Sequence, residues 1–121
     1  MNIKATLINK TPHPITFLDE ENNLIREIPK SLEPIRILSK VHSTDFTLDG
    51  IPITKMVYDE ETLLPAREEG VWYIVSPLVK SLFKYRTDLL VPNEIVKMFD
   101  KVIGCRSLGI LDLGGKDNAD N

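Results

Sequence analysis

The stretch Gly70–Arg86, GVWYIVSPLVKSLFKYR, with its sequel Thr87-Asp-Leu-Leu-Val-Pro92, constrains this chain more than any other segment. Val71-Trp72-Tyr73-Ile74-Val75 follows a Glu-Glu-Gly turn, and its β-branched and aromatic side chains suit a pleated, half-buried strand. Ser76-Pro77 then predicts a helix start. A serine oxygen can accept an unpaired backbone N–H, and proline at the first helical position gives up no internal bond. Leu78, Val79, Leu82 and Phe83 follow at helical spacing, which predicts a short helix with that face packed on the strand. Tyr85 and Arg86 end it, and Leu89-Leu90-Val91 reads as a second buried strand closed by Pro92. Ser76 therefore stands at a strand-to-helix junction, and Arg86 and Asp88 stand where the chain re-enters the core.

Ahead of this unit, the alternation of Ile3, Ala5 and Leu7 predicts a half-buried strand over Met1–Asn9. Thr11-Pro12-His13-Pro14 interrupts it, because each proline lacks a donor and restricts its neighbour. Ile15–Leu18 and Leu24–Ile28 flank the polar turn Asp19–Asn23, which predicts a hairpin with a longer loop. Pro29–Pro34 reads as a linker, and Ile35, Ile37, Ser39 and Val41 as a further alternating strand. Asp49-Gly50, between Phe46–Leu48 and Ile51–Tyr58, is a strong hairpin turn, with Pro52 at an edge or just past the turn. The acidic segment from Asp59 to Gly70 reads as a connection whose Glu60, Glu61, Glu68 and Glu69 face solvent.

Behind the unit, Pro92-Asn93-Glu94 with Ile95, Val96, Met98 and Phe99 fits either a short helix or an edge strand. Lys101–Leu108 reads as a final strand, with a bulge or a close backbone approach at Gly104. Ile110, Leu111 and Leu113 complete the packing. The fold expected is α+β: a compact, predominantly antiparallel β domain with one or two short helices over residues 1–113, followed by a flexible polar tail at 114–121.

The 121 residues carry a formal charge of −3, which argues against general nucleic-acid binding and against attraction to an anionic membrane. No basic and apolar presequence and no membrane-length apolar run is present, so a cytoplasmic protein is expected. One cysteine excludes an internal disulfide, and no metal framework or cofactor motif is expected. The charge is uneven, since Ser76–Arg106 holds six Lys or Arg against three acids. That segment could present a locally positive surface to an anion, although Lys80, Lys84, Lys97 and Lys101 read first as solvated side chains.

His13 is the most conspicuous polar candidate, because two prolines limit its backbone. With one ring nitrogen held by Thr11 or an acid, the other could donate to a ligand oxygen or move a proton; the plainer reading is a turn histidine capping strand ends. His42 reads as a loop residue. Arg86 can grip a phosphate or carboxylate with two parallel donors while Asp88 orients it, or the two can form a purely structural pair. Arg106 and Ser107 are a second pair suited to an anion, but GCRSLG lacks the glycine spacing and Lys-Ser/Thr ending of a phosphate loop. Cys105, opposite Arg106 by alternation, reads as a small core side chain before it reads as a nucleophile. Ser76 lacks a nucleophile elbow and reads as a cap. Thr11, His13, Arg86, Asp88 and Arg106 make up the expected ligand-binding set, with Ser76 and Ser107 secondary.

LINKTPHPI, LDGIPI, GVWYIVSPLV, YRTDLLVP and GCRSLG, in this order between Leu7 and Gly109, resemble a family of small, largely uncharacterised bacterial and phage proteins. The resemblance implies a compact domain and marks His13, Ser76, Arg86, Asp88 and Arg106 as positions of interest. If the chain is phage-encoded, it also suggests sequestration of a host signalling molecule. The leading expectation is a protein that binds a small anionic molecule, such as a nucleotide-derived signal, without turning it over. One alternative is a homo-oligomeric structural or interaction module using an edge strand around Ile53–Tyr58. The other is a small hydrolase or transferase in which His13 is the acid–base group and Arg86 or Arg106 offsets developing charge.

Overall fold

The computed structural model describes residues 1–37, 39–58 and 64–110. These residues are mostly β, with a single short helix. In chain order the elements are β1 (Thr6–Asn9), β2 (Ile15–Leu18), β3 (Leu24–Ile28), β4 (Ser39–Leu48), β5 (Ile51–Tyr58), β6 (Val71–Ile74), α1 (Pro77–Leu82), β7 (Leu89–Met98) and β8 (Lys101–Gly109). The chain forms two compact units, one of Met1–Pro34 with Ala66–Asn121 and one of Ile35–Pro65. No helix among the described residues is long and apolar enough to cross a membrane.

The first unit is a six-stranded sheet in the order β1-β6-β7-β8-β2-β3. Its strands are mixed in direction. Antiparallel hairpins join β2 to β3 and β7 to β8, while β1 with β6, β6 with β7, and β2 with β8 are parallel. Parallel pairs need long crossovers. Here β6 and β7 are joined through α1, while β1 with β6 and β2 with β8 link strands far apart in sequence, a relation that residue alternation within each strand cannot reveal.

A flat six-stranded sheet would hold β1 and β3 about 24 Å apart, from a strand spacing of about 4.8 Å. In this unit the two edges meet instead. The Asn9 amide at the end of β1 donates to the Pro29 carbonyl just past β3 at 3.0 Å, and the Ser31 N–H donates to the Thr11 carbonyl at 3.0 Å. Leu7 of β1 also packs on a cluster containing Ile28 of β3, together with Ile15, Ile74 and Cys105. The sheet therefore curls enough to bring the end of β1 and the turn after it against the residues just past β3. Gly104 permits the close approach of β8 to β2, since a Cβ there would lie 2.7 Å from the Thr16 carbonyl oxygen. The register also slips beside it, with Val96 opposite Gly104 but Lys97 opposite Val102.

The strand–helix–strand unit forms, with a helix shorter than expected: it ends at Leu82, before Tyr85 and Arg86. Ser76 is the N-cap and accepts from the Val79 N–H at 3.3 Å, and Pro77 opens the helix. Ile74, Val75 and Leu89 are fully buried, each contributing on the order of 1.5–3 kcal/mol through removal from water. The helix face differs from expectation. Val79 and Lys80 are buried while Leu78 and Leu82 remain exposed. Lys80 reaches inward because its Nζ donates to the Arg86 carbonyl at 2.7 Å, which satisfies the charge within the turn that follows the helix.

Two other expectations change. Met1–Ala5 lie outside β1, which begins at Thr6 because its partner β6 begins at Val71, after Gly70 at φ +78°. Residues 92–98, left between helix and edge strand, continue β7 straight through Pro92. Pairing with β6 ends at Leu90, so Pro92 lies where one edge of β7 is unpaired and a missing donor is tolerated. Phe99 and Asp100, at φ +53° and +66°, turn the chain into β8.

The second unit is the β4–β5 hairpin. Asp49 and Gly50 have φ of +48° and +79°, the left-handed pair that a tight hairpin turn requires and that an Asp-Gly dipeptide accepts readily. Its strand starts at Ser39, later than the alternation from Ile35 suggests. Glu60, Glu61, Leu111, Leu113 and the expected 114–121 tail lie outside the described residues.

Candidate functional site

A cleft of about 390 Å³ opens where β6 stops and β7 continues. Thr11–Thr16 form one wall, Ser76-Pro77 a second, and Pro92, Ile95, Val102, Gly104 and Cys105 the third. Because β6 ends at Ile74, the β7 edge beyond Leu90 has no strand beside it among the described residues, and side chains from that stretch line the cleft. The exposed lining is almost wholly apolar, with four prolines contributing. Its polar groups are few and sit toward Thr11, His13, Thr16 and Ser76.

The Thr11–His13 turn is held from beneath by Asn9. This buried side chain accepts from the Thr11 N–H at 2.9 Å and the Thr11 hydroxyl at 2.7 Å. Its amide group donates to the His13 carbonyl at 2.8 Å and to the Pro29 carbonyl at 3.0 Å. All four hydrogen-bonding positions of the amide are used, and the Thr11 hydroxyl, 2.9 Å from the His13 carbonyl, and the Ser31 N–H, donating to the Thr11 carbonyl at 3.0 Å, add to its hold on the turn. Thr11 is consequently a structural group as much as a lining one. His13 differs: its backbone is anchored, its side chain is exposed at the cleft, and among the described residues no hydrogen bond holds its ring. Of the side chains lining the cleft, His13 is the one that can carry positive charge.

The guanidinium groups lie elsewhere. Arg86 Nε donates to Asp88 Oδ1 and Nη2 to Asp88 Oδ2, both at 2.8 Å, a bidentate pair between two buried residues. The shared hydrogen bonds outweigh burial on both partners, raising the arginine's pKa and holding the Asp88 carboxyl below its usual range. The structural alternative for this pair matches its geometry. Arg106 donates through Nη2 to Asn22 Oδ1 at 2.7 Å, in the β2–β3 turn. The Asp19 carboxyl of that turn is lowered chiefly by the Asn23 N–H, with a smaller contribution from Arg106. Ser107 lies opposite Asn93 on β7 and is not part of the cleft.

The predicted set thus divides. Thr11, His13 and the secondary candidate Ser76 come together around one cleft, while Arg86, Asp88, Arg106 and Ser107 do not line it. Asp88 instead borders a separate recess of about 340 Å³ with Arg67, Glu69, Trp72 and Thr87, where Arg67 Nη2 donates to Thr87 Oγ1 at 2.9 Å. Sequence reasoning missed Asn9, Ile95, Val102 and Arg67. Asn9 had a legible signal, since an Asn two residues before a Thr-Pro step can accept from that Thr in a local turn. The others depend on which strands become neighbours.

Cys105 forms part of the cleft floor and of the core cluster. Burial pushes its thiol up, ahead of the opposing effect of the Ser107 and Asn93 N–H groups, so the thiol form is favoured over the nucleophilic thiolate. Among the described residues, no three His, Cys, Asp or Glu side chains gather as a metal-binding group. Comparison of the chain with protein-family models, curated protein sequences and solved structures finds no match.

Proposed function

We propose that this protein binds a small molecule in the cleft between the Thr11–Thr16 wall and the start of α1, and holds it without chemical change. The observation that carries this reading is the convergence of Thr11, His13 and Ser76 on a cavity of about 390 Å³ with apolar walls. Small-molecule sites commonly have this form, with apolar surface supplying contact and a few polar groups setting orientation. The ligand class is a molecule with a flat, apolar body and an anionic or hydrogen-bonding group directed to His13. A nucleotide-derived signal belongs to this class, its base against the proline and isoleucine surfaces and its charged group at the rim.

Binding is favoured over turnover because the Cys105 thiol is pushed up by burial, the Thr11 and Ser76 hydroxyls are engaged in turn and cap hydrogen bonds, and the arginines suited to stabilising developing charge are engaged away from the cleft. With α1 and its Ser76 cap counted among the elements that build the site, we read the domain as α+β. In keeping with the resemblance to small bacterial and phage proteins, its use is sequestration of a signal in the cytoplasm.

Isothermal titration calorimetry with a panel of linear and cyclic nucleotides tests the proposal. Saturable binding is expected for at least one ligand, weakened tenfold or more by His13→Ala and by Ile95→Asp, and unchanged by Ser107→Ala. The bound ligand should be recovered intact on denaturation. Absence of saturable binding across the panel, or recovery of a product, overturns this reading.

A further inference from the structure

The cleft offers a ligand few hydrogen-bond donors. Each of its three walls carries proline, and Pro12, Pro14, Pro77 and Pro92 have no backbone N–H. The Thr11 N–H donates to Asn9 Oδ1 at 2.9 Å, and the His13 N–H lies 3.4 Å from Thr11 Oγ1. The Thr11 hydroxyl is directed to Asn9 Oδ1 and the His13 carbonyl, at 2.7 and 2.9 Å, and the Thr16 hydroxyl to Glu27 Oε2 at 2.9 Å. The other lining backbone belongs to paired strands, Ile15 and Thr16 in β2 and Ile95, Val102, Gly104 and Cys105 in β7 and β8. Two residues remain as donors. His13 presents its ring, and Ser76 presents a backbone N–H and a hydroxyl proton, since its oxygen is the acceptor in the helix cap.

Resting on the binding role proposed above, we infer that the ligand's charged end is a single monoanion with a pair of acceptor oxygens, a phosphodiester or a carboxylate on one compact ring system, and that polyphosphates are rejected. His13 supplies at most one positive charge, and Ser76 supplies neutral donors. A terminal phosphate carries about −1.5 to −2 near neutrality, more than that set can offset. Each further phosphate oxygen drawn against the apolar walls loses water without gaining a donor, which costs free energy. Sites that take polyphosphates instead align several backbone N–H groups with a lysine or a magnesium ion, and proline on every wall of this cleft prevents such a row. Size points the same way. A volume of about 390 Å³ is near the small end of ligand sites, which span roughly 300–1,000 Å³.

Isothermal titration calorimetry on the full chain tests this with matched probes: the nucleoside, 3′,5′-cyclic monophosphate and 5′-triphosphate of each base, and 2-naphthoate with 2-naphthamide. A monoanion should bind about tenfold or more tighter than its uncharged counterpart, and a cyclic monophosphate about tenfold or more tighter than the triphosphate of the same base. Whichever of cyclic monophosphate and naphthoate binds more tightly identifies the anion as diester or carboxylate. In His13→Ala, which removes a ring that makes no hydrogen bond within the described residues, the monoanion and its uncharged counterpart should bind within about twofold of each other. A triphosphate that binds as tightly as its cyclic counterpart overturns the inference and leaves the binding role standing. So does a preference for the monoanion that survives His13→Ala. Absence of saturable binding by every probe overturns the binding role and the inference together.

Discussion

Asn9→Ala should be among the most damaging substitutions in this chain, although a single polar residue at a strand end would ordinarily be counted as minor. The change removes four hydrogen bonds at once and severs the side-chain link between the two edges of the sheet. Two of these bonds join Asn9 to Thr11 in buried surroundings, and an unsatisfied buried group costs about 1–3 kcal/mol. The His13 and Pro29 carbonyls are only partly buried and can turn to water, so their loss adds about 0.5–1 kcal/mol each. The expected loss is about 3 kcal/mol, measured as a shift in the urea midpoint at unchanged slope by Trp72 fluorescence. Asn9→Asp refines the test. It keeps the acceptor but sets a carboxylate against two carbonyl oxygens, so the charged form is disfavoured in the folded state and the acid's folded pKa rises. The destabilisation should therefore be full near neutrality and shrink as pH falls and the carboxyl gains a proton. A double-mutant cycle with Thr11→Ala should show strong coupling. A loss below about 1 kcal/mol for Asn9→Ala, or additivity with Thr11→Ala, would refute the view that this amide links the ends of the sheet.

Other perturbations separate the remaining structural groups. Asp88→Ala should destabilise by about 3–5 kcal/mol in chemical denaturation, because it leaves the buried Arg86 without its bidentate carboxylate. The folded Asp88 carboxyl lies below its ordinary 3.8, so its contribution is fully present above that value and is lost as pH falls through the lower folded value. Acid titration should accordingly narrow the stability gap between wild type and Asp88→Asn. Gly104→Ala should cost about 1–3 kcal/mol by thermal unfolding, since its Cβ meets a backbone oxygen that can move only with β2.

How much of this was legible in the sequence follows from the range of the interactions involved. The Ser76-Pro77 helix start, the Asp49-Gly50 turn and the β2–β3 hairpin were readable because each is set by neighbours a few residues apart. The Pro92 segment was ambiguous for the opposite reason. Its apolar residues fit two periods, and pairing with β8 decides between them. Lys80 was misread because a lysine's place depends on whether its ammonium finds an acceptor, here the carbonyl of Arg86 six residues later. The candidate site divided for a similar reason. Thr11, His13 and Ser76 meet because parallel pairing of β1 with β6 brings the ends of those strands together, one running into the Thr11–His13 turn and the other into α1. Alternation within β1 or β6 carries no trace of that neighbour.

The two arginines show how a shared residue type can mislead about a site. Arg86 and Arg106 are each competent to hold an anion, yet each is already directed to a partner supplied by its own surroundings, a buried carboxylate and a turn amide. The cleft has the contrary character. Its walls are prolines and β-branched or aliphatic side chains, and its one ionisable cation sits on a turn whose backbone Asn9 has already fixed. Rigid apolar walls lower the ordering cost of binding, because few side chains must give up freedom when a ligand arrives. Under the proposed binding role, selectivity would come from shape along the proline surfaces and from the direction of a single imidazole. The same amide that links the ends of the sheet also holds the His13 backbone, which ties the stability of the fold to the geometry of the proposed site.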